Sequence, residues 1–310
     1  MNGFRAGVEL GGTKTIAVIG RGQEIVERIT FPTTTPEATL GAVAGQLAAW
    51  HATFRPEALG IASFGPIALN ARHGAHGHML PTPKAGWSGA DVLGILSAAM
   101  PVPVALHTDV TAAALAEQRW GAARGLSDIA YITIGTGIGM GVIAGGQPVT
   151  GRMHPEAGHL RVRRLPGDRF AGVCSFHGDC LEGLASGPAI AARAGMTADL
   201  LPEDHPAWLP VTDALAEGIA TLMLTLSCER IVIGGGVGLG RPHLLPLVRG
   251  RIAGKLGGYL PSLGEAEIAA LVVPAALGGD AGPLGTLALA DTALPARVLA
   301  CAEAERQAVR

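Results

Sequence analysis

The sequence predicts an α/β fold built from two related halves, and three observations support this prediction. An apolar, β-branched stretch interrupted by glycines occurs twice, at residues 8–19 (VELGGTKTIAVI) and 129–143 (IAYITIGTGIGMGVI). Stretches with helical spacing of apolar residues alternate with short buried strands. The composition, 48% apolar and 15% charged residues, is that of a globular protein. A repeat this short does not prove duplication, but two related α/β halves would explain it.

The elements follow in order along the N-terminal third. Residues 7–19 predict two short strands that meet at Gly11 and Gly12, residues 37–52 predict a helix, and residues 59–63 begin another buried strand. Strands that alternate with helices indicate at least partly parallel pairing. Residues 65–90 are rich in Gly, Pro and His and predict a long functional loop.

Charge and composition limit the classes of partner. The formal net charge is -2 and no run of Lys or Arg occurs, which argues against a nucleic-acid surface. The N-terminal MNGFR is not followed by an apolar signal segment. The apolar run at 129–146 approaches membrane-spanning length, but its Gly, Thr and β-branched residues favour two strands. Four cysteines (174, 180, 228 and 301) are too few and uneven for a secreted disulfide framework, so we expect a cytoplasmic protein that contacts no membrane.

The first glycine turn is close to a P-loop, but Thr13 separates Gly12 from Lys14. A phosphate site needs backbone N–H groups, small hydroxyls and usually a cation. Residues 11–15 (GGTKT) and residues 135–139 (GTGIG) each offer such groups. A plain hairpin turn would explain either one alone. Together with a third glycine cluster at 231–240 (IVIGGGVGLG), they favour a nucleotide held between two domains, although no cluster has the Rossmann spacing.

A carboxylate begins the next helix-forming stretch, HTDVTAAALAEQRWG (107–121). Thr108 or Asp109 lies where an N-cap belongs, and capping alone would explain the aspartate. An aspartate at a helix N-terminus is also kept ionised by the helix dipole and could accept a proton from a substrate hydroxyl. Whether Asp109 faces the glycine turns would decide between these interpretations.

A metal site is predicted from spacing. Cys174, His177 and Cys180 form C-x-x-H-x-x-C, and His159 precedes them. Two thiolates and two imidazoles saturate tetrahedral zinc, which indicates a structural site without an open position. His154 is a competing ligand, and chance co-occurrence is the alternative. Glu156 and Glu182 bracket the cluster; they are surface carboxylates in the simplest interpretation, and a bound metal would fix them in position.

These segments together resemble the ROK family of sugar kinases and repressors over residues 5–290. The resemblance is carried by GVELGGTKT, GIASFGPI, TPKAGW, HTDVTAAALAE, YITIGTGIGMG, HPEAGHLRV, CSFHGDCLEGLASGPAI and IVIGGGVG. Glu9, TPKAGW, HPEAGH and the C-x-x-H-x-x-C cluster are similar to the bacterial fructokinase branch, whereas the usual glucokinase cluster contains only cysteines.

The resemblance implies a fold and a domain division. It implies the actin-like ATPase superfamily, with two RNase H-like α/β domains and a cleft between them. We expect a small domain at 1–108, completed by a C-terminal helix at about 290–310, and a large domain at 109–289 that carries the zinc-containing sugar loop.

The resemblance also implies residue roles. Asp109 matches the catalytic base, and Thr108, Glu156, His159 and Glu182 match residues that bind the sugar. His159, Cys174, His177 and Cys180 match the ligands of a structural zinc ion. The residues that match the ATP site, where Mg²⁺ arrives with the nucleotide, are Gly11, Gly12, Thr13, Lys14, Thr15, Thr136, Gly137, Pro188, Gly234, Gly235, Gly236, Val237 and Gly238.

The activity implied is ATP-dependent phosphorylation of a hexose, D-fructose above others, by a homodimer. A glucokinase, a mannokinase or a kinase of broad hexose specificity is the alternative within this class. A sugar-sensing protein without catalysis, or a purely zinc-structural scaffold, would belong to other classes.

One departure from the family pattern concerns the sugar: related kinases carry Asn two residues after the base, where this chain has Thr111. The first glycine motif begins at residue 9, which leaves no room before it for the DNA-binding region of the repressors.

Overall fold

The structure is a computed structural model, and it describes residues 3–294 of the 310-residue chain. Strands and helices alternate along these residues. The strands are Arg5–Leu10 (β1), Lys14–Arg21 (β2), Glu24–Pro32 (β3), Ala58–Ser63 (β4), Val104–Thr108 (β5), Ile129–Ile134 (β6), Ile138–Ala144 (β7), Gln147–Pro148 (β8), Arg230–Gly234 (β9) and Val272–Pro274 (β10). The helices are Pro36–Phe54 (α1), Val92–Ala99 (α2), Asp109–Trp120 (α3), Leu181–Ala185 (α4), Gly187–Ala194 (α5), Trp208–Leu226 (α6), Gly236–Gly240 (α7), Leu244–Leu256 (α8), Glu265–Leu271 (α9) and Ala281–Thr292 (α10).

The chain forms two compact units. The first contains residues 3–120, 149–154 and 280–294, and the second contains residues 121–148 and 155–279. Helix α3, which the sequence assigned to the large domain, belongs to the first unit because it packs against β4 and α10. The helix that completes this unit begins at Ala281, and most of the predicted helix at 290–310 lies outside the described residues.

The first unit is a mixed five-stranded sheet covered by helices. Its strand order is β3-β2-β1-β4-β5, with β1 antiparallel to β2 and parallel to β4. Helix α10 lies so close to the sheet that a Cβ at Gly60 would collide with the Thr286 carbonyl. Arg5, on β1, donates to Asp291 at 2.6 Å across a sequence separation of 286 residues. The first and last described elements of this unit are therefore joined by a buried ion pair.

The second unit repeats this topology with different strands. Its order is β10-β9-β6-β7-β8; β6 pairs antiparallel with β7 and parallel with β9, as β1 does with β2 and β4. Counted from the hairpin, both sheets have the order 3-2-1-4-5. The predicted pair of related halves is therefore present.

The long segments predicted from sequence are also present. Residues 129–146 form the β6–β7 hairpin, as their glycines and β-branched residues predicted. In the described part of residues 65–90 there is one 3-10 turn and there are isolated bridges, but no strand or α-helix, as predicted for a loop. One described helix, α6, has the length and hydropathy of a membrane span; 61% of its most apolar window is buried in the fold, as in a core helix of a globular protein.

Candidate functional site

The first glycine turn joins β1 to β2 and leaves two backbone amides without partners. Gly11 donates its N–H to the carbonyl of Lys14 at 3.1 Å, and its own carbonyl accepts the Thr33 hydroxyl at 2.8 Å. In the described part of the chain, neither Gly12 nor Thr13 donates its N–H to any acceptor. These amides can therefore bind an anion, as predicted for a phosphate turn.

Two other residues predicted for this nucleotide site have different surroundings. Lys14 is the first residue of β2 and is exposed. Thr15 is fully buried, and its hydroxyl bonds the Thr33 hydroxyl at 2.8 Å. Thr15 thus stabilises the turn from its buried side, through the hydrogen bond to Thr33.

The second glycine turn, between β6 and β7, also leaves two consecutive amides free. Gly135 donates to the carbonyl of Gly137 at 2.9 Å, and its own carbonyl accepts the N–H of Gly187 at 2.7 Å. Within residues 3–294, the amides of Thr136 and Gly137 have no acceptor. The two hairpins, predicted to be equivalent from their sequences, thus present equivalent pairs of N–H groups.

A cavity of about 620 Å³ lies beside the second turn, within the range of small-molecule pockets. Thr136, Pro188, Gly236 and Val237, all predicted for the nucleotide site, line its wall. Sequence reasoning missed other lining residues, among them Thr197, Asp199 and Arg241. The pKa of the exposed Asp199 is lowered by the Thr197 side chain and, more weakly, by the charge of Arg241. No motif marks this segment, so no sequence signal could have identified it.

The other predicted glycines of the third cluster, Gly234, Gly235 and Gly238, do not line this cavity and have packing roles. A Cβ at Gly234 would collide with the Tyr131 hydroxyl, and one at Gly238 would come within 3.1 Å of Ile233. Gly235 has φ +84°, a conformation that favours glycine. These glycines shape the β9–α7 connection behind the cavity.

Asp109 is the first residue of α3, and Thr108 caps that helix. The Thr108 hydroxyl accepts the Thr111 N–H at 3.3 Å and donates to the Thr111 hydroxyl at 2.8 Å. Asp109 accepts a local bond, from the Val110 N–H at 2.8 Å. Burial raises the pKa of Asp109 to about 6, while backbone hydrogen bonds oppose the shift. A carboxylate with this pKa is ionised at neutral pH and basic enough to accept a proton.

The capping of α3 has a consequence for Thr108 and Thr111. Both side chains are buried, and their hydroxyls are bonded to each other. Any hydrogen bond from Thr111 to a sugar, at the position where related kinases carry Asn, would have to compete with this internal pair.

Glu9 is an acidic residue whose environment the sequence did not predict. Burial and, more weakly, the charge of Asp109 raise its pKa to about 7, while the charges of Lys14 and Arg28 oppose the shift. A Cβ at Gly282 would collide with its carboxylate, so this glycine makes room for Glu9. The sequence marked Glu9 only as a family feature, because its burial depends on residues far along the chain.

The predicted zinc ligands lie together. One donor atom from each of His159, Cys174, His177 and Cys180 lies within 4.8 Å of all the others. His159 Nδ1 is 3.6 Å from Cys174 Sγ and 3.5 Å from Cys180 Sγ. Tetrahedral zinc with ordinary bond lengths would separate a nitrogen and a sulfur ligand by about 3.6 Å. The donor set therefore fits zinc in number, chemistry and spacing.

His154, the competing ligand, lies outside this cluster. Its Nε2 accepts the N–H of Ile67 at 3.2 Å, within the first unit, and its side chain is buried.

The two carboxylates that bracket the cluster are placed differently. Glu156 is exposed at the start of the 3-10 turn Ala157–His159. Glu182, in α4, accepts the N–H of Ile138 at 3.1 Å and so braces the strand that follows the second glycine turn. A Cβ at Gly158 would collide with the Ile138 carbonyl. The residues flanking the predicted zinc ligands thus contact both the N–H and the carbonyl of Ile138, in the strand that follows the second glycine turn.

A repeated strand order, amide-presenting glycine turns and a half-buried carboxylate at a helix start together are typical of the sugar-kinase class of phosphotransferases. The ROK family matches residues 5–293, and the chain belongs to that family. The predicted mixed α/β fold and family assignment are therefore confirmed.

Relatives and solved structures agree with this assignment. The chain is 39% identical to a fructokinase of Pediococcus pentosaceus, covering 93% of this chain and 97% of that one. It is 40% identical to a fructokinase of Zymomonas mobilis, covering 91% and 95%. Its structure is similar to a ROK family glucokinase from Streptomyces griseus in complex with glucose and AMPPNP, with a TM-score of 0.71, 26% identity, and 94% and 100% coverage.

Proposed function

We propose that this protein is an ATP-dependent fructokinase that converts D-fructose and ATP to D-fructose 6-phosphate and ADP. The observation that carries the proposal is Asp109, a half-buried carboxylate of pKa about 6 at a helix start, in a chain 39% identical to a fructokinase. Asp109 removes the proton from the primary hydroxyl of the sugar. The sugar oxygen then attacks the γ-phosphorus of Mg²⁺–ATP, and the bond from that phosphorus to the β–γ bridging oxygen breaks as ADP leaves.

The nucleotide is assigned to the residues whose placement supports it. The cavity lined by Thr136, Pro188, Gly236 and Val237 has the size for a nucleoside. The free amides at residues 12–13 and 136–137 are donors suited to phosphate oxygens. Phosphoryl transfer asks the protein chiefly for positioning and charge stabilisation, which these groups supply.

The sugar is assigned to Glu156, His159 and Glu182, with Thr108 as a further candidate. This assignment rests on the family pattern and on the proximity of the first three to the metal cluster. We assign zinc to His159, Cys174, His177 and Cys180, where it would hold the sugar loop and take no part in the chemistry. A cytoplasmic homodimer completes the proposal, on the strength of the family resemblance.

A panel of hexoses tests the activity. The purified protein is assayed with ATP and Mg²⁺ on D-fructose, D-glucose, D-mannose and N-acetyl-D-mannosamine, with ADP release followed for each. We expect the highest kcat/KM for D-fructose. A glucose or mannose preference would favour the alternative kinases, and Thr111 in place of Asn is the feature that makes this outcome worth testing. Sugar binding without turnover on any hexose would replace the kinase with a sensor.

A further inference from the structure

The segment TPKAGW, residues 82–87, reaches the first glycine turn. Trp87 is fully buried, and its Nε1 donates to the carbonyl of Thr34 at 2.8 Å, which fixes the end of the segment. The Lys84 ammonium donates to the carbonyl of Gly12 at 2.6 Å and to that of Thr33 at 3.3 Å. The sequence singled out TPKAGW only as part of the family resemblance. In the structure, this segment holds the first glycine turn by a direct hydrogen bond from Lys84.

Two successive carbonyls of the turn are held by side chains. Gly11 is held through its carbonyl by the Thr33 hydroxyl, and Gly12 is held through its carbonyl by Lys84. In a trans peptide the C=O and the following N–H point in opposite directions. The amides of Gly12 and Thr13 therefore point away from Thr33 and Lys84, and these are the two amides that no described residue accepts.

Without such bonds, the peptide groups of a turn with two consecutive glycines would rotate freely. Rotation of either peptide would turn its N–H away from an anion. Binding would then have to fix a freely rotating peptide, and this loss of conformational entropy would weaken the binding. Lys84 fixes one of these peptides and adds a positive charge beside the turn. Lys14, the lysine within the motif, makes no hydrogen bond to the described residues through its ammonium.

We propose that Lys84 is a positioning residue that orients the Gly12–Thr13 peptide, so that the Thr13 amide faces a phosphate group of the nucleotide. This inference rests on the proposed function for the identity of the anion. The orientation of the peptide itself does not depend on that identity.

The test separates hydrogen bonding from charge and fold. Lys84→Met keeps the length of the side chain and removes its donors, whereas Lys84→Arg keeps the charge and the ability to donate. Arg72→Ala, an exposed cation in the same long loop, is the matched control. We expect Lys84→Met to lower kcat/KM for ATP by about tenfold, the effect of one hydrogen bond to a charged group. KM for D-fructose should stay within about twofold, and Lys84→Arg should recover most of the loss.

A second measurement distinguishes failure of the inference from failure of the proposed function. Backbone ¹⁵N order parameters of Gly12 and Thr13 should fall in Lys84→Met and stay unchanged in Arg72→Ala. An active wild-type enzyme with unchanged order parameters and kinetics in Lys84→Met would overturn the inference alone. If the wild-type protein phosphorylates no hexose but the order parameters fall, the positioning role stands and the proposed function fails.

Discussion

The glycine turn at residues 11–13 and the glycine turn at residues 135–137 close equivalent hairpins, but different groups hold them. In the first, side chains hold the carbonyls: the Thr33 hydroxyl and the Lys84 ammonium. In the second, the carbonyl of Gly135 accepts a backbone N–H, from Gly187 at the start of α5. A single substitution can therefore release the first turn, whereas the second depends on the placement of whole elements around it.

The units also differ in their titratable groups. The first unit contains Glu9 and Asp109, whose pKa values burial raises to about 7 and about 6. The second unit contains the nucleotide-sized cavity and the metal cluster. We therefore expect changes at Asp109 to alter the chemical step and its pH dependence, and loss of the metal to alter loop order in the second unit.

The largest effect should come from Asp109→Asn. Loss of the base should lower kcat by about 10²–10⁴-fold. Binding of an ATP analogue, measured by calorimetry, should stay within about threefold, because Asp109 does not line the cavity and Asn keeps the size of its side chain. Near-normal turnover in a folded variant would contradict the assignment of Asp109 as the catalytic base.

Metal removal should act on the second turn and spare the first. We expect about one zinc per chain, and chelation should lower kcat/KM by about tenfold or more. Because Glu182 and Gly158 flank the metal ligands and contact Ile138, the Ile138 amide should exchange faster with deuterium after chelation. The Gly11 amide, bonded to Lys14, should not change.

A control variant keeps the metal cluster intact. Cys228→Ala removes a buried cysteine outside it and should retain its zinc. Native protein that contains no zinc after purification in zinc-supplemented medium would contradict the metal assignment.

Low pH should inhibit the enzyme by protonating Asp109, in the first unit. Asp109 must be ionised to accept a proton, and its pKa is raised, so kcat/KM should rise with pH through about 6. At pH 5, one unit below that value, activity should be roughly tenfold below the plateau. Binding of the nucleotide analogue without sugar should change little over pH 5–8. A kcat/KM profile that stays flat down to pH 5 would refute the raised pKa of the base.

The smallest effect should come from Thr33→Val, which is nearly isosteric. It removes the hydroxyl that holds the Gly11 carbonyl, so KM for ATP should rise about threefold to tenfold. The Thr15 hydroxyl loses a buried partner as well, so the free energy of unfolding should fall by about 1 kcal/mol. Thr33→Ser keeps the hydroxyl and should behave as the wild type. If Thr33→Val also leaves KM unchanged, the first turn does not depend on its side-chain supports.

Local patterns sufficed to predict the hairpins and the cluster of histidine and cysteine side chains. Apolar periodicity and glycines located β1, β2, β6 and β7, because a strand and the turn that follows it are formed by consecutive residues. The C-x-x-H-x-x-C spacing predicted that Cys174, His177 and Cys180 would lie together, and His159 joins them.

Long-range burial and hydrogen bonding were not predictable in this way. The raised pKa of Glu9 depends on desolvation by residues that include Gly282, 273 positions away. Lys84 lies 72 residues from the carbonyl that it holds. Thr197 and Asp199 reach the cavity by tertiary packing alone, without a motif. Periodicity carries no information about such contacts.

The buried pair of Arg5 and Asp291 also constrains how the protein is made. During synthesis, β1 emerges first and Glu57, one carboxylate partner of Arg5, follows soon after, but α10 and the second partner, Asp291, emerge some 280 residues later. Most of the second unit, residues 155–279, is complete before that point. The N-terminal sheet must therefore wait on the ribosome with an apolar face uncovered, at a synthesis rate of about 5–20 residues per second. The unit whose translation begins first is therefore the last to have all its residues translated.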